Sequence, residues 1–114
     1  MNSVNLIGNL ATDVELREAG EKKVASFLLA VDRGGSDGGA DFVWVSAWDR
    51  QGEVCAEYLA KGSRVGVVGR LKSHTWEKDG ERRDRVEVTA RHVEFLSAPM
   101  RAGGEVIPFE AATA

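Results

Sequence analysis

Asp79-Gly80 separates two segments of strand character, Arg64 to Trp76 and Arg85 to Phe95. An Asp-Gly pair accepts the positive φ that a two-residue hairpin turn demands. The sequence therefore predicts a long hairpin in the second half of the chain, and the rest of the fold has to be built around it. Gly66 and Gly69 fall inside its first strand, where isolated glycines mark a bulge or a bend.

Upstream, Val4 to Leu10, Val24 to Val31 and Phe42 to Trp48 read as three further strands. The glycine- and aspartate-rich run 33–41 reads as a loop between the second and third. Between the third and fourth strands the pattern changes. Asp49 is placed to cap a short helix near Glu53–Leu59, and Gly62 stands where a helix stop is expected. Five strands with one short helix between strands 3 and 4 is the order of an all-β, five-stranded OB-fold barrel. Other small all-β barrels can be threaded through the same strands. The domain is expected over residues 1–96, followed by a short tail over 97–114.

A chain of 114 residues with 43% hydrophobic and 29% charged side chains suits one globular domain. No stretch is apolar and long enough to span a bilayer, and residues 1–5 lack a basic, then apolar, leader. A cytoplasmic protein is expected. Cys55 is the sole cysteine, so it forms no intrachain disulfide, and its neighbours Val54, Ala56, Tyr58 and Leu59 suggest a packed small hydrophobe.

Enzyme constellations are missing. His74 and His92 lack metal-ligand spacing with Cys, Asp or Glu. The run 34–39 does not end in Gly-Lys-Ser/Thr, so it is no phosphate loop. Ser36 has no partner set for a nucleophile, and Asp13 and Glu15 read as surface carboxylates. No catalytic residues, metal or cofactor are expected.

The third strand carries the main functional signal. Alternate residues of a strand face opposite ways. Val43, Val45 and Ala47 share one face and suit a small barrel's interior, whereas Phe42, Trp44, Ser46 and Trp48 share the other. That aromatic face is either covered by a helix or a second subunit, or it meets a ligand. On the fourth strand Arg70, Lys72, His74 and Trp76 share a face, with Leu71 and Ser73 opposite and Leu71 expected inside. Aromatics interleaved with basic groups suit single-stranded nucleic acid, whose bases stack while its phosphates seek positive charge. Net charge is −3, but residues 61–92 hold nine Lys/Arg against five Asp/Glu. Phosphate binding follows that local balance. Arg82 and Arg83 on the hairpin extend the basic set, unless they serve solubility alone.

Several segments, in order, resemble the bacterial single-stranded DNA-binding protein family. They are Val4-x-Leu6-x-Gly8-Asn9-Leu10-x-x-Asp13-x-Glu15-Leu16-Arg17, Glu57-Tyr58-Leu59-x-Lys61-Gly62-Ser63, Val68-Gly69-Arg70-Leu71, and Trp76 followed by Gly80 and Glu87-Val88. The resemblance spans residues 1–96. It implies sequence-independent binding and protection of single-stranded DNA in replication, recombination and repair, by a homotetramer with a dimer as fallback. It places stacking aromatics on Phe42, Trp48 and Trp76, and basic contacts on Lys72, His74 and Arg50. Departures are Gly34-Gly35 where a further tryptophan is common, Val43 for a histidine, Trp44 for an arginine and Asp84 for a tyrosine. The family's partner-docking tip is matched only by Ile107, Pro108 and Phe109, which here precede five more residues and lack a long acidic run. The segment is either a weakened docking site for replication and repair proteins or a chance similarity. The competing reading is an OB-fold primosome-type adaptor that mainly contacts proteins.

Overall fold

A computed structural model describes residues 1–35 and 38–97. Strands β1 (Val4–Leu10), β2 (Glu15–Ala19), β3 (Lys22–Asp32) and β4 (Ala40–Trp48) precede helix α1 (Asp49–Tyr58), and β5 (Arg64–Lys78) and β6 (Glu81–Phe95) follow it. Five strands close a ring in the order β1-β5-β6-β4-β3, with β3 returning to β1 through Asn9↔Ala30 and Leu10↔Leu29. Every pairing is antiparallel except β4 with β6. This is the expected OB-type barrel, with its helix between the third and fourth strands of the ring.

β2 is an addition that the sequence reading did not separate from the first strand. It hangs on β3 outside the ring, and all five of its residues are exposed. A fully exposed strand has no apolar-polar alternation to announce it.

The barrel fills as the third-strand pattern predicts. Val45 and Ala47 are fully buried, and they meet Phe27, Leu29, Val67 and Val88. Val43 is only partly buried against this core. Cys55 lies on the inner side of α1, where burial pushes its thiol up to about 12. It stays protonated and packs as a small hydrophobe. Asp49 does not cap the helix. It is itself the first helical residue, with φ +55°, and Trp48 occupies the cap position without a side-chain bond.

Gln51 ties α1 to the barrel. Its Nε2 donates to the Ala90 carbonyl at 3.4 Å, and its Oε1 accepts from the Val93 N–H at 3.0 Å. Those two groups flank the place where β6 is irregular, because Val68 pairs with His92 but Gly69 with Ala90, leaving Arg91 over. Gly69 is needed there, since a Cβ would collide with the Thr89 carbonyl. Its place was legible as a bulge signal.

Beyond Gly69 strand β5 leaves the barrel, and β6 leaves it on the turn side of Glu87. The pairing of β1 with β5 ends at Val4↔Gly69, and that of β4 with β6 covers only Trp44–Ser46. Leu71, expected in the interior, is therefore 49% exposed. It keeps the parity of Val65 and Val67, but no layer lies over it. Asn2 borders this stretch instead, its amide bonding both the N–H and the carbonyl of Leu71 at 2.8 and 2.9 Å. The ribbon turns at Asp79 (φ +54°) and Gly80 (φ +78°), the positive pair that the two-residue turn requires. Among the described residues no helix is long and apolar enough to cross a membrane.

Candidate nucleic-acid interface

Residues paired across neighbouring strands show their side chains on the same face. The registers therefore assemble the outward face of β3, β4, β6 and β5 row by row. Val24 lies beside Trp48. Ser26, Ser46, Thr89 and Arg70 form the next row, then Leu28, Trp44, Glu87 and Lys72. The ribbon continues the same face with His74 opposite Arg85 and Trp76 opposite Arg83. Phe42 stands on this face beyond the end of the β4–β6 pairing, exposed to solvent.

The face is hollowed into a groove of about 400 Å³. Trp48, His74, Trp76, Arg85 and Glu87 line one side and the floor, and Arg17, Glu18 and Ala19 of β2 supply the opposite wall. Strand β2 thus converts a flat sheet face into a trough. Trp44 and Trp48 are half-buried, which fixes their rings, whereas Trp76 is exposed on the ribbon. The Arg85 guanidinium lies over the Trp44 ring, 5.1 Å from its centroid. A cation in this position is attracted by the ring's quadrupole.

Glu87 is the groove's unexpected member. It is only 5% exposed, yet it is surrounded by donors. Its Oε1 accepts from Ser46 Oγ at 2.8 Å and meets His74 Nε2 at 2.8 Å, and its Oε2 accepts from Arg85 Nη2 at 2.9 Å. Burial alone would push this carboxyl up. The hydrogen bonds from Arg85, Ser46 and His74, together with the His74 charge, outweigh burial and hold it below its ordinary value of 4.5. Glu87 is an anion throughout the neutral range. A carboxylate only accepts, so His74 Nε2 carries its proton toward Glu87.

The structure gathers Trp44, Trp48, Arg70, Lys72, His74 and Trp76 on one face. It does not bring Arg50 to the groove. That side chain stands in the first turn of α1, largely exposed and 3.8 Å from Glu53. Arg82 pairs opposite Glu77 on the other face of the ribbon, and its own guanidinium is 3.6 Å from Asp84. Arg83 is on the groove side, 3.2 Å from Glu81. Ile107, Pro108 and Phe109 lie outside the described residues. Glu87 and the β2 wall are not among the site residues expected from the sequence, and Ser46, expected on this face, had no role assigned to it. The signal for Glu87 was present, because counting back from the Asp79-Gly80 turn sets Glu87 opposite Lys72 and Arg85 opposite His74.

Barrel and face together define the class, an OB-fold protein whose aromatic and basic surface has the composition that suits single-stranded nucleic acid. Comparison with known proteins gives the family. The single-strand binding protein family model matches residues 1–96, and the chain belongs to that family. A single-stranded DNA-binding protein of Clostridium tetani is 44% identical over 102 residues, covering 84% of this chain and 70% of that protein. Single-stranded DNA-binding protein 3 of Clostridium acetobutylicum is 43% identical over 102 residues, covering 84% and 71%. A single-stranded DNA-binding protein of Bacillus cereus is 42% identical over 111 residues, covering 92% of this chain and 65% of the relative.

Proposed function

We propose that this chain binds single-stranded DNA without regard to sequence and protects it during replication, recombination and repair, doing no chemistry on it. The observation that carries the reading is the single face on which Trp44, Trp48 and Trp76 alternate with Arg70, Lys72, His74 and Arg85. Bases stack on the rings, and phosphates are met by the basic side chains between them. Stacking is sequence-tolerant because every base has a π-face. Phe42 extends the path along β4, and Arg83 along the ribbon. Arg50 and Arg82 join it only where the strand wraps beyond the groove.

Residues 1–96 form the binding unit in this reading, and 97–114 a tail. Ile107, Pro108 and Phe109 are its partner-docking segment, weakened by the residues after Phe109. The working form is a homotetramer, with the dimer as fallback, in the cytoplasm. Support comes from β1, whose edge over residues 4–7 has no strand beside it among the described residues, and whose Ile7 is exposed. Pairing two such edges would satisfy their backbone groups and cover that residue. Light scattering at micromolar concentration tests this, and a monomer would contradict it.

The functional test is a tryptophan-fluorescence titration with oligo-dT at several salt concentrations. Strong quenching is expected, with log K falling by roughly 0.7 per decade of salt for each phosphate contact. A protein-contacting adaptor would leave the fluorescence unchanged.

A further inference from the structure

Glu87 poses a physical problem for the function proposed above. An anion lies in the floor of a groove that is read as a path for phosphates. Its neighbours explain why it is there. His74 and Arg85 stand directly opposite one another on the ribbon, and Lys72 stands opposite Glu87 itself. The Arg85 guanidinium has only donors to offer, and His74 Nε2 carries a proton, so neither satisfies the other. Without an acceptor between them these side chains would turn to solvent.

The carboxylate prevents that from below. Ser46, reaching across from β4, holds Oε1 at 2.8 Å, so the carboxylate is oriented from a strand that does not belong to the ribbon. His74 and Arg85 are then held at 2.8 and 2.9 Å. Charge-assisted bonds of this length are the strong ones. Arg85 has a second restraint in the Trp44 ring. One of the five guanidinium N–H donors points at Glu87, and others remain for a ligand. The His74 and Arg85 side chains are still 43% and 40% exposed, whereas that of Glu87 is 7%. The negative charge is enclosed and its two clamped partners face the groove.

We propose that Glu87 is a positioning residue for DNA binding, clamping His74 and Arg85 at the groove floor, so that removing its negative charge weakens binding to a polyanion instead of strengthening it. The inference rests on the functional reading above and deepens it. Simple electrostatics gives the opposite sign, since deleting an anion raises the local positive potential. The sign of the effect is therefore diagnostic.

The experiment measures anisotropy of a labelled oligo-dT, with melting temperatures recorded alongside. The variants are Glu87→Gln, Glu87→Asp, the double variant His74→Ala/Arg85→Ala, and that double variant with Glu87→Gln added. Glu87→Gln turns one acceptor oxygen into a donor that opposes a clamped donor, and Glu87→Asp keeps the charge but withdraws it by one methylene. Each should weaken binding on the order of tenfold, about one charge-assisted hydrogen bond. In the double-variant background, where nothing is left to clamp, Glu87→Gln should leave affinity unchanged or raise it. Wild-type or tighter affinity of a folded Glu87→Gln protein would overturn the proposal. So would an equal loss in both backgrounds, the mark of a purely structural role. A wild-type chain that fails to bind oligo-dT would sink the functional reading and this inference with it, whereas binding that ignores only the Glu87 variants sinks this inference alone.

Discussion

The β5–β6 ribbon is two structures in one pair of strands. From Arg64 to Gly69, paired with Ala90 to Phe95, it is barrel wall, and Val65, Val67, Val93 and Phe95 are buried. From Arg70 on, β5 pairs with β6 alone, while β6 stays against β4 from Glu87 to Thr89 with Val88 in the core; beyond these, Ser73 to Lys78 and Glu81 to Val86 form an arm on which Trp76 and Val86 are exposed, with Leu71 exposed at its root. The Asp79-Gly80 turn sets one register for the arm, and a bulge at Arg91 and a glycine at Gly69 divide it from the wall. The same alternation of side chains has two meanings. In the wall it sorts core from solvent, and in the arm it sorts the groove face from its back.

The sharpest way to break this comparison is to place the same charge in both halves. Val67→Asp should abolish folding, because an unpaired buried carboxylate costs several kcal/mol out of a total of about 5–15 for a small domain. Leu71→Asp, four residues on and of the same parity, should change stability by about 0.5 kcal/mol or less, as exposed substitutions do. Thermal melting reads both. If Leu71→Asp unfolds the chain as Val67→Asp does, the arm has a covered back face.

A second effect separates the two faces of the arm and its neighbour β4. Trp76→Ala should weaken oligo-dT binding by about 1–3 kcal/mol with little change in melting, the worth of one stacked base. Trp48→Ala should weaken binding similarly but also lower the melting temperature, since Trp48 is half-buried beside Val24. Isothermal titration beside calorimetric melting checks the pair. A Trp76 variant that melts far below wild type would put that ring in the core.

Much of this was legible in the sequence, and the gaps have physical causes. The third strand's parity, Val45 and Ala47 in and Trp44 and Trp48 out, follows from alternation alone because both of its faces are occupied. The bulge and the turn were announced by Gly69 and Asp79-Gly80. Leu71 was misplaced because parity gives a side but does not say whether anything covers that side. That depends on where β1 stops pairing, a fact of tertiary structure. β2 is not legible because an exposed strand of Glu, Leu, Arg, Glu and Ala has no buried face and so no hydrophobic period. Glu87 stands in the sequence only as part of the family resemblance, beside Val88, and its meaning appears only once the register sets it among His74, Arg85 and Ser46.

Smaller effects sharpen the account. Lys72→Ala should reduce the magnitude of the salt slope by about 0.7, one phosphate contact's share for a single strand. Stability should depend on pH through Glu87. Its carboxyl is lowered in the folded state, so its contribution is present above the unfolded value near 4.5 and is lost as pH falls through the folded one. Melting temperature should therefore fall more steeply in wild type than in Glu87→Gln as pH drops below about 4.5. Parallel acid limbs would contradict the charged network.

The central claim is that one face of the arm, not the arm as a whole, meets DNA. Thr75 and Trp76 are adjacent, neutral, exposed and on opposite faces. Thr75→Glu and Trp76→Glu each add one negative charge at nearly the same point of the ribbon. The direct measurement is oligo-dT anisotropy for the two variants at one salt concentration. The account predicts a loss of about 1–3 kcal/mol or more for Trp76→Glu, from the lost stack and the added repulsion together, and little loss for Thr75→Glu. Equal losses would mean that the arm acts only through its total charge, and would contradict the face drawn here.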